Sequence, residues 1–435
     1  MKLFAISIFA GGMVVMATWA SVAAQATLPS DFSVAQPSIP DHSFNITNFG
    51  AVADGKTLCT DAFRKAVAAC EKAGGGTVVV PAGKFFSGPF ALDSNINLHL
   101  ESGSVIQFSD SVGDMKVTDA GFDNDISARD CHDIAITGSG TIDGNGAYFW
   151  RNFVEPKNNP FDAPWIPHRP RLINLNRCTR VLVQGVTLTN SPMFHLVPSQ
   201  CRDVTIDGIR IKAPANSPNT DGIDPSGIGF VITRCTIDTG DDDIAVKGSA
   251  RVDPDRPACE NFLVANCTFL HGHGMSIGSE SYGGVRNMLV RDCTFDGTEA
   301  GIRLKSPRGR GGVAENLTYE NLTMKNVKDP ILITSWYPKI PTHAEQYSAH
   351  AVNDHTPIWR HIRITNVTSE GGSIAGQIVG LPEMPVDDVV LDNVHVSASK
   401  PIQIIYARGI RLINCDISAE SGKPLLFKAD VEGLQ

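Results

Sequence analysis

Four stretches of this chain, NTDGIDP, TGDDDIAVK, GHGMSIGSE and GIRLKS, align on one apolar position, occupied by Ile223, Ile244, Met275 and Ile302. Two residues before it stand Asp221, Asp242, His273 and Ala300, and one residue after it Asp224, Ala245, Ser276 and Arg303. Two positions further on, the last three stretches carry Lys247, Gly278 and Lys305. Three titratable side chains in one row, beside a cationic pair, are the ingredients of acid/base chemistry. Crowded carboxyls push one another's pKa values apart, so that one stays protonated while its neighbours ionise. Strict alternation along a strand would aim this row inward with the isoleucines, and burying three ionisable groups without partners is very costly. The alternation must therefore break. Gly222, Gly240, Gly272, Gly274 and Gly301 stand at the breaks, and glycine within a strand pattern marks a turn or bulge that re-aims its neighbours. A kink at Gly240 lets the adjacent Asp241 and Asp242 both reach one cleft. Turn-forming aspartate is the ordinary alternative, but such residues need no register with cations.

The elements that hold these residues are repeats. CHDIAITGSGTIDG, CTRVLVQGVTLTNS, CRDVTIDGIRIKAP and the units after them recur every 20 to 30 residues or so. Each alternates apolar and polar residues over a few positions, breaks at Gly, Asn or Asp, and starts again, the pattern of several short strands per coil. Units of this kind stack into a solenoid with strands about 4.8 Å apart. One amphipathic helix precedes them: Phe63, Ala66, Val67 and Cys70 form a stripe after Thr60 and Asp61 that ends at Gly74 to Gly76, placed to cap the first coil. The expected fold is all-β, a single-domain right-handed parallel β-helix with an N-terminal capping helix.

Residues 1–26, with Lys2, an apolar run to Trp19 and then small residues, have the layout of a secretory signal peptide, which leaves 27–435 as the β-helix catalytic domain. A secreted chain without a membrane anchor after cleavage is expected, and a monomer. The formal net charge of -9 argues against nucleic acid as a partner but not against an anionic substrate, because a local cluster of Arg and Lys can reverse the field within one cleft. Ten cysteines in an exported chain could pair. Equally, most lie at or beside the start of a short apolar strand, as small core hydrophobes would. No CxxC occurs, so a zinc site is not expected.

At the four aligned stretches the chain resembles glycoside hydrolase family 28, the polygalacturonases. The family's motifs occur in order as Asn219-Thr220-Asp221, Gly240-Asp241-Asp242, Gly272-His273-Gly274 and Arg303-Leu304-Lys305. The longer strings look like those of bacterial endo-polygalacturonases, and FNITNFGAVADG, GSGTIDGNG, RPRLI and NSPMFH upstream are also similar to the family. The resemblance implies inverting hydrolysis of α-1,4 bonds in polygalacturonate, the acidic backbone of pectin, with endo action and without cofactor or metal. By motif position Asp241 is the acid, Asp221 and Asp242 hold the water, and His273 maintains the proton state. Arg303 and Lys305, two apart on one strand and so on one face, could clamp a galacturonate carboxylate. Tyr337, in DPILITSWYP, matches a substrate-contacting tyrosine, and Asn219 belongs with the substrate-binding set. Inversion comes from the resemblance alone, since side chains stacked one coil apart lie nearer the carboxyl separation of retaining enzymes. Asp243 departs from the Cys or Asn usual after the Asp pair.

Other readings are an exo-acting enzyme, a rhamnogalacturonan or xylogalacturonan hydrolase, a Ca²⁺-dependent pectate lyase in which the acids bind metal, and a non-catalytic carbohydrate-binding β-helix. The last has no use for acids, histidine and cations aligned over four coils. The segment 147–170 is a candidate wall at one end of the cleft.

Overall fold

The structure, a computed structural model, describes residues 28–432 apart from 30, 119–120, 154–167, 250, 252, 254, 344–345 and 421–424. The proposed signal segment and most of the candidate wall lie outside the described residues. The alternating units form short strands that pair in parallel with the equivalent strand of the next coil, winding a right-handed parallel β-helix. Among the described residues the one antiparallel pair is the small ribbon Val117–Thr118 with Gly121–Phe122.

Stacking puts like on like. Phe230 lies on Phe262 with ring centroids 4.4 Å apart, and Phe269 meets Phe295 at 4.7 Å. At the bends the asparagines form their own ladder: Asn287 donates to Asn261 at 3.2 Å and Asn316 to Asn287 at 3.3 Å. All three have positive φ, the left-handed conformation that Asn tolerates better than most residues. The breaks at Asn read from the sequence are therefore the corners of the coil.

The capping helix is Thr60–Lys72, with Phe63, Ala66, Val67 and Cys70 all buried. Phe63 stacks on Phe90 of the first coil at 4.7 Å. Each large side chain so buried contributes about 1.5–3 kcal/mol, and the helix keeps the open end of the solenoid from water. All ten cysteines are unpaired thiols, nine of them buried. Those that open successive units stack inside the coil, Cys131 with Cys178 and Cys201 following the strand register. Of the two uses the sequence left open, the structure adopts the small hydrophobe.

The functional sheet runs through Phe90–Ala91, Ile126–Arg129, Ile173–Asn176 and Leu196–Ser199. It continues through a bridge at Ile223 to Ile244–Val246, Met275–Ile277, Ala300–Lys305, Asp329–Thr334 and Gln377–Val379. Ile223, Ile244, Met275 and Ile302 are aligned neighbours in this sheet and all fully buried, the alignment expected from the sequence.

Candidate active site

Because these apolar residues face the core, the residues one and three positions after them face away. Asp224, Ser276, Arg303, Lys247 and Lys305 accordingly stand on one outward surface. Asp221, Asp241 and Asp242 reach the same cleft, a cavity of about 390 Å³ also lined by Asn219, Phe194, Asp224, Lys247, Lys305 and Tyr337. The break in alternation is real, but its causes differ from glycine to glycine. Gly272 and Gly274 have φ of +44° and +78°, a left-handed turn that presents His273. Gly240 has no such φ; a Cβ there would lie 2.3 Å from the Ser217 carbonyl oxygen. Gly222 and Gly301 likewise serve close approach rather than a bulge, since a Cβ at either would lie 2.4 or 2.7 Å from a neighbouring carbonyl oxygen.

Asp242 is the most heavily partnered acid. Its Oδ1 accepts from Arg303 Nη1 at 2.5 Å and from Ser276 Oγ at 2.8 Å, and its Oδ2 accepts from Lys305 Nζ at 2.7 Å. Burial works against its ionisation, but Lys305 and Arg303 overcome this and hold the carboxyl well below the usual range. The expected carboxylate clamp is thus occupied by the protein's own carboxylate. Lys305 also lies 5.2 Å from the centre of the Tyr337 ring, which ties Tyr337 to the cationic pair.

Asp221 and Asp224 form a second cluster around Lys247, whose Nζ is 3.8 Å from Asp221 Oδ2 and 3.7 Å from Asp224 Oδ2. Burial, with Asp224 next, pushes Asp221 well above the ordinary value. Burial raises Asp224 to about 6 against the pull of Lys247. Among the described residues no hydrogen bond reaches Asp221 Oδ1 or either oxygen of Asp224, which leaves acceptors for a water or a sugar hydroxyl. The backbone of Asp221 is fixed by His195. Ser191 N–H donates to Nε2 at 3.3 Å, so Nδ1 carries the proton and donates to the Asp221 carbonyl at 3.0 Å. Burial drives this imidazole down to about 4, which keeps it neutral.

Asp241 is partly exposed and takes a 3.0 Å contact from His273 Nδ1. Burial opposes its ionisation, yet the hydrogen bond with His273 holds it below the ordinary range. The other nitrogen of His273 is 3.1 Å from Glu299. Asp243 turns into the core, where burial pushes it well above the ordinary value. It accepts from Gly274 N–H at 2.9 Å and lies 3.2 Å from Thr239 Oγ1. Thr239 has one hydroxyl proton and also sits 3.0 Å from the Asp241 carbonyl. A protonated Asp243 can donate to Thr239 and release that proton for Asp241, satisfying every group. Asp241, Asp242 and His273 offer atoms within 4.8 Å of one another, but both oxygens of Asp242 already face cations, so the donor set suits a proton site rather than a metal.

Asn219 sits at the rim with φ of +52°. Its Oδ1 accepts from buried Arg169 at 2.7 Å, so its amide N–H groups are the part offered to the cleft. A family model described as "Glycosyl hydrolases family 28" matches residues 70–409. The chain belongs to glycosyl hydrolase family 28. It is 32% identical over 383 residues to a probable polygalacturonase of Vitis vinifera, covering 82% of this chain and 74% of that one. It is 31% identical over 394 residues to an endo-polygalacturonase of Pectobacterium parmentieri, covering 86% and 91%. Among solved structures, a hyperthermoactive exopolygalacturonase from Thermotoga maritima matches with a TM-score of 0.76 at 29% identity, over 88% of this chain and 93% of that one. Membership of family 28 makes the chain a glycoside hydrolase and sets aside the lyase and non-catalytic readings.

The eight candidate residues all lie at this cleft or its border, together with several companions not among the candidates. Asp224 and Lys247 stood in the aligned rows, so register could have drawn them in. Glu299 lies off those rows and gave no periodic signal; Arg169 and His195 lie off them too, although RPRLI and NSPMFH, the strings that contain them, are similar to the family.

Proposed function

We propose that this family 28 member is a secreted, endo-acting hydrolase of α-1,4-galacturonosidic bonds in polygalacturonate. In this reading Asp241 protonates the glycosidic oxygen, and Asp221 and Asp242 orient and deprotonate the attacking water. His273 governs the proton on Asp241. Arg303, Lys305, Tyr337 and Asn219 hold the sugar beside the scissile bond. The observation that carries it is the buried ion cluster of Asp242 with Arg303 and Lys305 in a cleft of a chain whose net charge is -9. Two cations gathered on one outward row suit a carboxylated sugar.

The same cluster suggests how binding readies the base. A galacturonate carboxylate arriving at Arg303 and Lys305 competes with Asp242 for their protons, and a carboxylate that loses charge-assisted hydrogen bonds becomes more basic. Entry of a sugar also strips water from the partly exposed Asp241, which favours its neutral, proton-donating form. The carboxyls titrate as a coupled group. Endo action is supported by the outward surface formed by the described residues, which extends along the sheet to hollows on both sides, one by Arg64, Arg129 and Asn174 and the other by Trp336, Gln377 and Gln403. Residues 1–26 are proposed as the export signal; among the described residues no helix is long and apolar enough to cross a membrane.

De-esterified polygalacturonate digested in EDTA tests the reading. Reducing ends should accumulate without the ultraviolet absorbance of an unsaturated uronide, and Asp241→Asn should abolish them. An early fall in viscosity marks endo attack, and the anomeric configuration of the first product, read by NMR, reports inversion. Absence of reducing ends with this polymer, or loss of activity in EDTA, would overturn the proposal.

A further inference from the structure

His273 stands between two carboxyl groups. Nδ1 is 3.0 Å from Asp241 Oδ1, and Nε2 is 3.1 Å from Glu299 Oε2. Each contact needs one proton to be a hydrogen bond, on nitrogen or on oxygen. With both contacts made as hydrogen bonds, the array Asp241–His273–Glu299 holds two protons, however they are distributed. With Glu299 ionised and Nε2–H donating to it, Nδ1 is bare and accepts from a protonated Asp241. With the proton moved to Nδ1, the imidazole is cationic and Asp241 is ionised.

Glu299 is built to stay in this place. Its backbone N–H donates to the Gly272 carbonyl at 2.9 Å, and its carbonyl accepts from Asp329 N–H at 2.9 Å, locking it to the turn that presents His273. Its Oε1 lies 3.7 Å from Lys328 Nζ, and the side chain is 45% exposed. The charged groups facing the array are Asp242, 3.8 Å from Nδ1, Lys305 and Asp221, which share the field of Asp241, Lys328 beside Glu299, and Arg303 and Asp329, both of which feel the Glu299 charge.

We propose that Glu299 is a positioning residue for the acid. By accepting from Nε2–H it fixes the ring with Nδ1 toward Asp241 and keeps the second proton in the Asp241–Nδ1 contact, where the acid can use it. The inference rests on the reading of Asp241 as the proton donor. When Asp241 gives its proton to the leaving sugar oxygen, the array is left with the proton on Nε2; Asp241 then takes one proton from solvent to restore the pair. An anion near an imidazole stabilises its protonated form, so Glu299 makes the array retain its second proton to higher pH.

The test uses Glu299→Gln, Glu299→Ala and Lys328→Met in the full chain, assayed on polygalacturonate across pH. Glu299→Gln keeps an acceptor for Nε2–H but removes the charge, and the alkaline limb of the kcat/KM profile should move down by about one pH unit. Glu299→Ala should lower kcat about tenfold with KM unchanged, less than the 10²–10⁴ typical of a group that itself transfers the proton. Lys328→Met, which frees the Glu299 charge, should move the limb the opposite way. Imidazole NMR of His273 gives a readout that needs no turnover: its titration midpoint should fall in Glu299→Gln and rise in Lys328→Met. Superimposable limbs and midpoints in wild type and Glu299→Gln would overturn the proposal. If the wild type does not hydrolyse the polymer, the functional reading fails by itself, while the NMR midpoints still decide whether Glu299 controls the ring.

Discussion

Replacing Asp242 by Asn removes the anion from a buried cluster and leaves Arg303 and Lys305, 9% and 4% exposed, facing an uncharged amide. Each pair is worth roughly 4 kcal/mol at about 4 Å between charge centres and an effective dielectric near 20. Some of this is offset, because the carboxylate no longer has to be desolvated and the amide oxygen still accepts one hydrogen bond. The net loss expected is about 3–5 kcal/mol, the usual cost of leaving a buried charge unpaired, or several degrees in Tm. Activity should fall by roughly 10²–10⁴ as for a lost base. Affinity for an anionic oligomer should move the other way. If a ligand carboxylate recovers even a third of the lost energy, an oligogalacturonide binds Asp242→Asn about tenfold more tightly than wild type. The assay is thermal unfolding and calorimetric titration with trigalacturonate and with a neutral oligosaccharide of the same length. The anionic oligomer should restore Tm in the variant more than in wild type, and the neutral one should not. Weaker or equal binding of trigalacturonate by Asp242→Asn would refute the idea that Asp242 and substrate compete for these cations.

Three further outcomes are expected. Asp224 is raised to about 6 from an ordinary value of 3.8, so between those values the folded state holds a proton the unfolded chain has lost. Stability should therefore rise as pH falls from above 6 toward 4, and Asp224→Asn, measured by urea unfolding at the two ends of that range, should flatten the dependence and gain about 2–3 kcal/mol at neutral pH. In Gly272→Ala a Cβ would lie 2.5 Å from both carboxyl oxygens of Asp243 at a φ of +44°; strain of about 1–3 kcal/mol and a displaced His273 should lower kcat more than tenfold, with the fold intact by circular dichroism. Because all ten cysteines are unpaired, a reductant should leave Tm unchanged, and a drop of several degrees would reveal a disulfide after all.

The fold was legible because a solenoid repeats its local rules. The stripe Phe63, Ala66, Val67 and Cys70 specified the cap, and one apolar position per coil gave the register from Ile223 to Ile302 without a gap. That register also delivered the outward rows, and with them Arg303, Lys305 and the unclaimed Asp224 and Lys247. What it could not deliver were residues at the corners, where periodicity lapses. Glu299 lies one residue ahead of its strand and reaches His273 through the turn on the neighbouring coil. His195 and Arg169 act on the backbone or rim of the site from other coils. Nor could spacing reveal that Asp242 occupies the cationic pair, since that depends on side-chain reach across two further coils.

The three consecutive aspartates make the same point in one place. Asp241, Asp242 and Asp243 are chemically identical in the sequence and leave the chain at a turn, where successive side chains point in different directions. Asp241 goes to the rim and His273, Asp242 to the outward row and two cations, and Asp243 inward to a backbone N–H and a threonine hydroxyl. Their neighbours then divide the protonation states. Cations keep Asp242 ionised, burial keeps Asp243 neutral, and the hydrogen bond with His273 draws the partly exposed Asp241 below the ordinary range against its own burial. In the proposed reaction Asp241 gives a proton to the leaving group only after sugar entry has stripped its water and favoured the neutral form. The neutral Asp243 keeps a third negative charge away from Asp242 and lets the Thr239 hydroxyl give its proton to the Asp241 carbonyl.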